Sequence, residues 1–299
     1  MNTQIINGKE LAKEIKERVK QHIEEEYSSE EPPCLACIIV GDNPASKTYV
    51  ASKEKACAEC GIHSKIIRLS EYSTYSELKR VIKELNLDKS VSGILLQLPL
   101  PSHLEEYRDE LINTIAPYKD VDALTDLSLG ALMSNNNDVA PCTATGVMRI
   151  LESINYNLSG KDVVVIGRSL LVGKSVSQLL MAQNATVTNC HSHTQNLQAK
   201  TKQADVIVVA VGKPNFLTAD YVKEGAVVID VGINRTSLGL IGDVDYENVK
   251  NKCSFITPVP GGVGPLTVAC LMENTVILHE LELGKSYNLY KDKLNSFVK

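Results

Sequence analysis

Tyr49 and Lys53 stand one helical turn apart on a segment, 46–60, whose pattern predicts a helix. Ala56, Cys57 and Cys60 continue the face that carries the pair, and Glu54, Lys55 and Glu59 fall on the others. An ammonium on an apolar face is poorly hydrated, and poor hydration is what brings a lysine into proton transfer near neutral pH. The same pattern fits a surface lysine whose stem lies on apolar neighbours while its head reaches water. Gln97 lies in G-I-L-L-Q-L-P-L-P, residues 93–101, where an amide inside an apolar strand needs a partner. A neighbouring lysine would serve, structurally or catalytically. Asp122 closes K-D-V-D, residues 119–122, after a proline-containing loop. Its carboxylate can accept hydrogen bonds from an amino-pyrimidine edge, or it can cap a helix or turn.

A second chemical locus begins at G-R-S-L-L-V-G, residues 167–173, between a predicted strand (162–166) and a predicted helix (173–183). Strand, glycine turn and helix N-terminus make a phosphate cradle, because free N–H groups and the helix dipole point at an anion. The spacing is not G-x-G-x-x-G, so position carries the inference: the turn opens a βαβαβ series, as a Rossmann unit does. NAD sites usually place a carboxylate after the second strand to hold the ribose hydroxyls. From Gly167 through Ala204 there is none, and the second strand ends in C-H-S-H-T, residues 190–194. Arg168 in the glycine turn, with the hydroxyl of Ser192 at that strand end, can meet a 2′-phosphate, which favours NADP. Ile233, in D-V-G-I-N at the end of a later strand, can cover the nicotinamide or adenosine with apolar surface. Y-x-x-x-K also occurs in short-chain dehydrogenases, but there the glycine turn precedes the pair. Here no such turn lies upstream of Tyr49, and chain order excludes that arrangement.

The third locus is T-P-V-P-G-G-V-G-P-L-T, residues 257–267. Proline fixes φ and glycine permits close approach, so the loop is stiff and thin and suits a site where backbone touches a flat ligand. A tight connection between strand and helix explains it equally well.

These residues need elements to position them. An amphipathic helix is predicted over 9–27, with Leu11, Ile15, Val19 and Ile23 on one face. Strands over 35–40, 62–69 and 91–98 then alternate with helices over 46–60, 75–86 and 104–115, the mark of parallel βαβ units. Residues 116–139 read as loop with short helix, and 143–154 as a helix crossing between domains. A second series has strands over 162–166, 185–190, 205–211 and 226–231, a helix over 173–183 and a long apolar helix over 263–279. The polar segment 280–299 reads as a returning helix or a frayed tail. The fold class expected is α/β, in two three-layer domains, the second a Rossmann-type NADP-binding domain with the active-site cleft between them. The expected division is 1–145 plus 280–299 against 146–279.

Length and composition agree with that. The chain has 299 residues, 43% hydrophobic and 22% charged, enough for two ordinary globular domains. A net charge of −5 with dispersed lysines leaves no footprint for nucleic acid or a membrane surface. Residues 1–10 lack the basic start and apolar core of a secretory signal, so a cytoplasmic protein with reduced thiols is expected. Cys34, Cys37, Cys57 and Cys60 form C-x2-C…C-x2-C, a zinc-like pattern. Residues three apart on a strand point to opposite faces, however, so Cys34 and Cys37 cannot easily share an ion, and no metal is expected.

Taken together the chain resembles the bifunctional methylenetetrahydrofolate dehydrogenase/methenyltetrahydrofolate cyclohydrolase family. The matching blocks are G-D-N-P-A-S-K-T-Y-V-A-S-K (41–53), G-I-L-L-Q-L-P-L-P, K-D-V-D, P-C-T-A-T-G (141–146), G-R-S-L-L-V-G-K, C-H-S-H-T, D-V-G-I-N, G-D-V-D (242–245) and the 257–267 loop, in the family's order. The resemblance implies Lys53 as the catalytic lysine, Tyr49 stacking on the pterin, Gln97 tuning Lys53, and Asp122 binding the pterin amino edge. It implies that Pro260, Gly261 and Gly262 line the substrate cleft, that Gly167, Arg168, Ser169, Ser192 and Ile233 bind NADP, and that the subunit dimerises through its cofactor domains. The implied chemistry is oxidation of 5,10-methylenetetrahydrofolate with NADP, then hydrolysis to 10-formyltetrahydrofolate, with no metal. Ala123-Leu124 stands where the family has Gly-Phe, Ala144 and Ser175 where it has proline, and Leu266 where it has methionine. On the residues alone, a monofunctional NADP-linked dehydrogenase and a nonenzymatic NADP- or zinc-binding regulator stay open.

Overall fold

The computed structural model describes residues 3–27, 31–237 and 239–285. The described residues fall into two compact units: those up to Lys13 with Thr143–Thr267, and those of Glu14–Cys142 with those from Val268 onward. This division differs from the expected one in ways that pairing explains. The short strand Gln4–Ile5 pairs in parallel with Phe255–Ile256, which draws the N-terminal residues to the unit of the glycine turn. The helix Val263–Glu282 belongs to both units, passing from one to the other after Thr267. Residues 286–299 lie outside the described residues.

In the unit that carries Lys53, three parallel strands run in the order His63–Leu69, Cys34–Val40, Gly93–Leu96. The central strand is buried throughout, as a parallel strand covered on both faces must be. Its alternate residues divide two cores. Cys34, Ala36, Ile38 and Val40 pack with Leu78, Ile82 and Ile94. Leu35, Cys37 and Ile39 pack with Val50, Cys57, Cys60 and, from the C-terminal helix, Leu271, Met272 and Val276. Cys34 is thereby separated from the other three cysteines of the zinc-like pattern by the thickness of the sheet. Burial pushes the thiols of Cys37 up to about 11 and of Cys57 and Cys60 up to about 12. Such thiols hold little thiolate at pH 8, and thiolate is the reactive form. Folded protein should therefore react slowly with Ellman's reagent and release all eight thiols only on denaturation; rapid labelling of the native chain would contradict this packing.

The other unit holds a six-stranded parallel sheet in the order Gln4–Ile5, Phe255–Ile256, Val227–Asp230, Val206–Val209, Asp162–Ile166, Thr186–Cys190. Numbered from Asp162–Ile166, the order is 2-1-3-4-5 with the N-terminal strand added at the far edge. The strand order therefore reverses between Asp162–Ile166 and Val206–Val209, where doubly wound sheets bind ligands.

Several elements depart from the sequence reading. The helix expected over 104–115 is two short ones, Ser102–Glu105 and Arg108–Ile112, each burying its own leucine. The strand expected over 91–98 is regular from Gly93 to Leu96, with the N–H groups of Ser92 and Gln97 extending its bonds to the central strand. A hairpin, Asn234–Thr236 with Gly239–Ile241, and the short helices Leu197–Thr201 and Tyr246–Val249 were too brief to show a period. Among the described residues no helix is long and apolar enough to cross a membrane.

Candidate active site

The helix Pro44–Cys60 buries the stripe Ser46, Val50, Cys57 and Cys60, and half-buried Lys53 lies on the same stripe. Its Nζ donates to Gln97 Oε1 at 2.9 Å. Gln97 is placed by its own backbone, whose N–H continues the ladder to Ile38 O at 2.9 Å just beyond the strand. Its Nε2 donates to Leu98 O at 2.6 Å, which turns the amide oxygen toward the lysine. Gln97 is thus a structural partner and orients Lys53 at the same time. Tyr49, one turn before Lys53, is 39% exposed.

Asp122 is separated from its neighbours by how they are tied. Lys119 is 1% exposed, and its Nζ donates to Asp88 O at 2.7 Å and Leu85 O at 3.3 Å, capping the helix Tyr75–Leu87. Asp120 Oδ2 accepts from Thr125 N–H at 2.8 Å and from Ser128 Oγ at 2.7 Å. The N-cap of the following helix, Asp126–Met133, is Thr125, whose side chain accepts from Ser128 N–H at 3.2 Å, and Asp120 braces that cap. Val121 lies over Gly93, where a Cβ would come within 2.1 Å of its Cγ1. Burial pushes the Asp122 carboxyl above the ordinary carboxylate range, Lys53 and the Cys142 thiol oppose that, and Asp120 adds to it. Lys53, bonded to Gln97, thus also favours the charged form of Asp122. Ala123 follows with φ at +51°, in the left-handed region. Glycine enters that region freely and alanine at a cost of about 1–2 kcal/mol.

The glycine turn is built for close backbone approach. A Cβ on Gly167, whose φ is +137°, would meet Ala210 O at 2.4 Å, and one on Gly173 would meet Gly167 O at 2.1 Å. Ser169 caps the turn Leu170–Lys174, accepting from Val172 N–H at 3.3 Å, and the helix Ser175–Ala182 follows. Ile166 is in register with Cys190, and Gly167 N–H donates to Cys190 O at 2.9 Å. Arg168 and Ser192 thus emerge, exposed, from neighbouring strand ends. This donor set, with no carboxylate from Gly167 through Ala204, fits a phosphate dianion beyond the ribose. Ile233 is 43% exposed and its Cδ1 lies 3.6 Å from where a Cβ on Gly264 would stand. Pro260, Gly261 and Gly262 fall in this unit, the two glycines packed on Gly8, where a Cβ would come within 1.9 Å of Gly262 O.

Two buried carboxylates hold the loops around Ile233. Asp230 accepts from the N–H groups of Gly232, Asp243 and Val244 at 2.9, 3.0 and 2.9 Å. Burial pushes its carboxyl up to about 6 against those donors. Asp243 accepts from the N–H groups of Val211, Gly212 and Lys213 at 2.7, 2.9 and 2.8 Å and from Asn234 Nδ2 at 2.9 Å. Sequence reasoning gave neither a role. Their signal was the glycine beside each: a Cβ on Gly232 would meet Asp243 Cγ at 2.2 Å, and one on Gly242 would meet Asp230 Oδ2 at 1.8 Å.

Known proteins share both halves of this arrangement. Residues 6–122 match the family described as tetrahydrofolate dehydrogenase/cyclohydrolase, catalytic domain, and residues 141–283 match its NAD(P)-binding domain. The bifunctional protein FolD of Acetivibrio thermocellus is 51% identical over 283 residues, 94% of this chain and 99% of that one. The crystal structure of the bifunctional FolD dehydrogenase/cyclohydrolase of Campylobacter jejuni matches with a TM-score of 0.90 at 47% identity, covering 94% of this chain and 99% of that one. The Trypanosoma brucei dehydrogenase-cyclohydrolase, solved with NADP cofactor and an inhibitor, matches with a TM-score of 0.88 at 34% identity, covering 94% and 98%.

Proposed function

The chain belongs to the tetrahydrofolate dehydrogenase/cyclohydrolase family, and from that membership we propose how its residues divide the work. It is a bifunctional enzyme that oxidises 5,10-methylenetetrahydrofolate to 5,10-methenyltetrahydrofolate with NADP and hydrolyses the product to 10-formyltetrahydrofolate. The observation that carries the assignment of roles is the Lys53–Gln97 hydrogen bond beside Asp122.

Tyr49 stacks on the pterin, and Asp122 accepts from its amino-pyrimidine edge. Together they fix where the one-carbon bridge lies relative to Lys53. NADP, held by Gly167, Arg168, Ser169, Ser192 and Ile233, supplies the hydride acceptor. Pro260, Gly261 and Gly262 present a thin backbone wall to the substrate, and orientation is the main contribution to this first reaction. In the second, water attacks the methenyl carbon and its oxygen becomes the formyl oxygen. One water proton passes through Lys53 Nζ to the ring nitrogen as the carbon–nitrogen bond breaks, and the other goes to solvent. Gln97 Oε1 holds Nζ at the point where both transfers are short. Supplying methylenetetrahydrofolate and NADP, and following NADPH and methenyl absorbance separately, tests both activities; NADPH formation with methenyl accumulating undiminished would leave only the dehydrogenase.

Gln97→Ala should depress methenyl hydrolysis by about one to two orders of magnitude, the value of a hydrogen bond to a charged group. It should also change the pH–rate profile of hydrolysis and leave the KM for NADP unchanged. A profile identical to that of the wild type would remove the coupling.

We assign the chain to the cytoplasm, since eight buried cysteines suit a reducing compartment. We further assign a homodimer through the cofactor-binding units. The outer strand Thr186–Cys190 leaves an edge to be covered, and Met181 on the adjoining helix is 47% exposed.

A further inference from the structure

Asn274 is a polar residue in the long, largely apolar helix Val263–Glu282. It is 4% exposed, among buried Cys270, Leu271, Met272, Val276 and Leu278. A buried amide is costly unless its groups are bonded, so its partners identify what it holds. Its Nδ2 donates to Val121 O at 2.8 Å and to Ala140 O at 3.0 Å, and lies 3.4 Å from Cys142 Sγ. One side chain thereby joins the C-terminal helix, the K-D-V-D loop and the start of the helix Cys142–Ser153.

The Val121 carbonyl belongs to the peptide unit whose N–H is that of Asp122. That unit is planar and stiff, so holding the carbonyl orients the backbone of Asp122. Lys119 and Asp120 anchor the loop upstream of this peptide. Downstream stands Ala123, at φ +51°, which does not settle there by itself. Cys142 adds a second link, since its thiol reaches Val121 O at 3.4 Å and the Asp122 carboxylate. We propose that Asn274 is a positioning residue for folate: its amide, through the Val121–Asp122 peptide and Cys142, sets the Asp122 carboxylate where the pterin edge meets it. The proposal rests on the reading of Asp122 as the pterin-binding carboxylate.

A double-mutant cycle on the full chain separates positioning from simple core packing. Asn274→Leu keeps the volume and removes the donors. It should raise the KM for methylenetetrahydrofolate about tenfold, the scale of one lost hydrogen bond. The kcat and the KM for NADP should stay within about twofold of wild type. Asp122→Ala alone should raise the folate KM, and adding Asn274→Leu to it should raise it no further. Asn274→Ser, which keeps one donor, should give a smaller rise, and it replaces Asn274→Leu in the cycle should the leucine variant fail to fold by circular dichroism. A fall in kcat with the folate KM unmoved would make Asn274 a packing residue and overturn the proposal. Full additivity with Asp122→Ala would overturn it as well, leaving the role of Asp122 intact. An unchanged folate KM in Asp122→Ala itself would remove that role, and the proposal with it.

Discussion

Lys53→Met should lower methenyl hydrolysis by about 100- to 10,000-fold, the range of positioned acid–base assistance. Methionine keeps the length of the stem and remains on the stripe formed with Val50 and Cys57, so the helix Pro44–Cys60 should pack as before. Gln97 Oε1 loses its donor, which costs about 1–3 kcal/mol for a group this buried and should show as a melting temperature lower by several degrees. Dehydrogenation should survive in part, because hydride transfer needs an oriented substrate and, in the proposed division of roles, no proton from Lys53. Following the decay of methenyl absorbance without NADP measures the loss directly. Hydrolysis at the wild-type rate would remove Lys53 from the mechanism.

That lysine was legible because helical spacing alone places Tyr49 and Lys53 on the side continued by Ala56, Cys57 and Cys60. The parallel strands were legible for a similar reason: Cys34–Val40, Asp162–Ile166 and Val206–Val209 are short apolar runs between helical patterns, and their burial on both faces requires such runs. Gln97 stood out as an amide in such a run. Asp120 and Asp122 are equivalent in a string and differ only in what lies opposite them: Asp120 bonds to Thr125 and Ser128, and Asp122 feels Lys53 and the Cys142 thiol.

What stayed hidden depends on distant partners. Gln4–Ile5 and Phe255–Ile256 are too short to show a period, and each is a strand only because the other, or Val227–Asp230, lies beside it. That pairing moved the unit boundary away from the expected 1–145. Lys119 and Asn274 satisfy backbone groups remote in sequence, so no local pattern marks them, and Asp230 and Asp243 are marked only by the glycines beside them. The substitution of Ala123 for the family's glycine was visible in sequence, but its consequence, a left-handed alanine beside Asp122, needed the backbone.

Arg168→Ala should weaken NADP by about one to two orders of magnitude and leave NAD nearly unchanged. A charge-assisted hydrogen bond to phosphate is worth roughly 1.5–3 kcal/mol, and each 1.4 kcal/mol is about a factor of ten. The structure sharpens the argument from charge. Arg168 and Ser192 leave the carboxyl ends of adjacent, in-register strands, so both donors can meet one phosphate group. The first carboxylate after Ala204, Asp205, sits at the opposite end of that sheet. Its carboxylate accepts from Asp162 N–H at 3.1 Å and pairs with Lys223 at 2.6 Å, which holds it away from the turn. With no acid to bond ribose hydroxyls and a guanidinium to bond a phosphate, wild-type kcat/KM should favour NADP over NAD, and the variant should narrow that preference from the NADP side. Equal wild-type values for the two cofactors would sink the argument, and so would a variant that keeps its full preference for NADP.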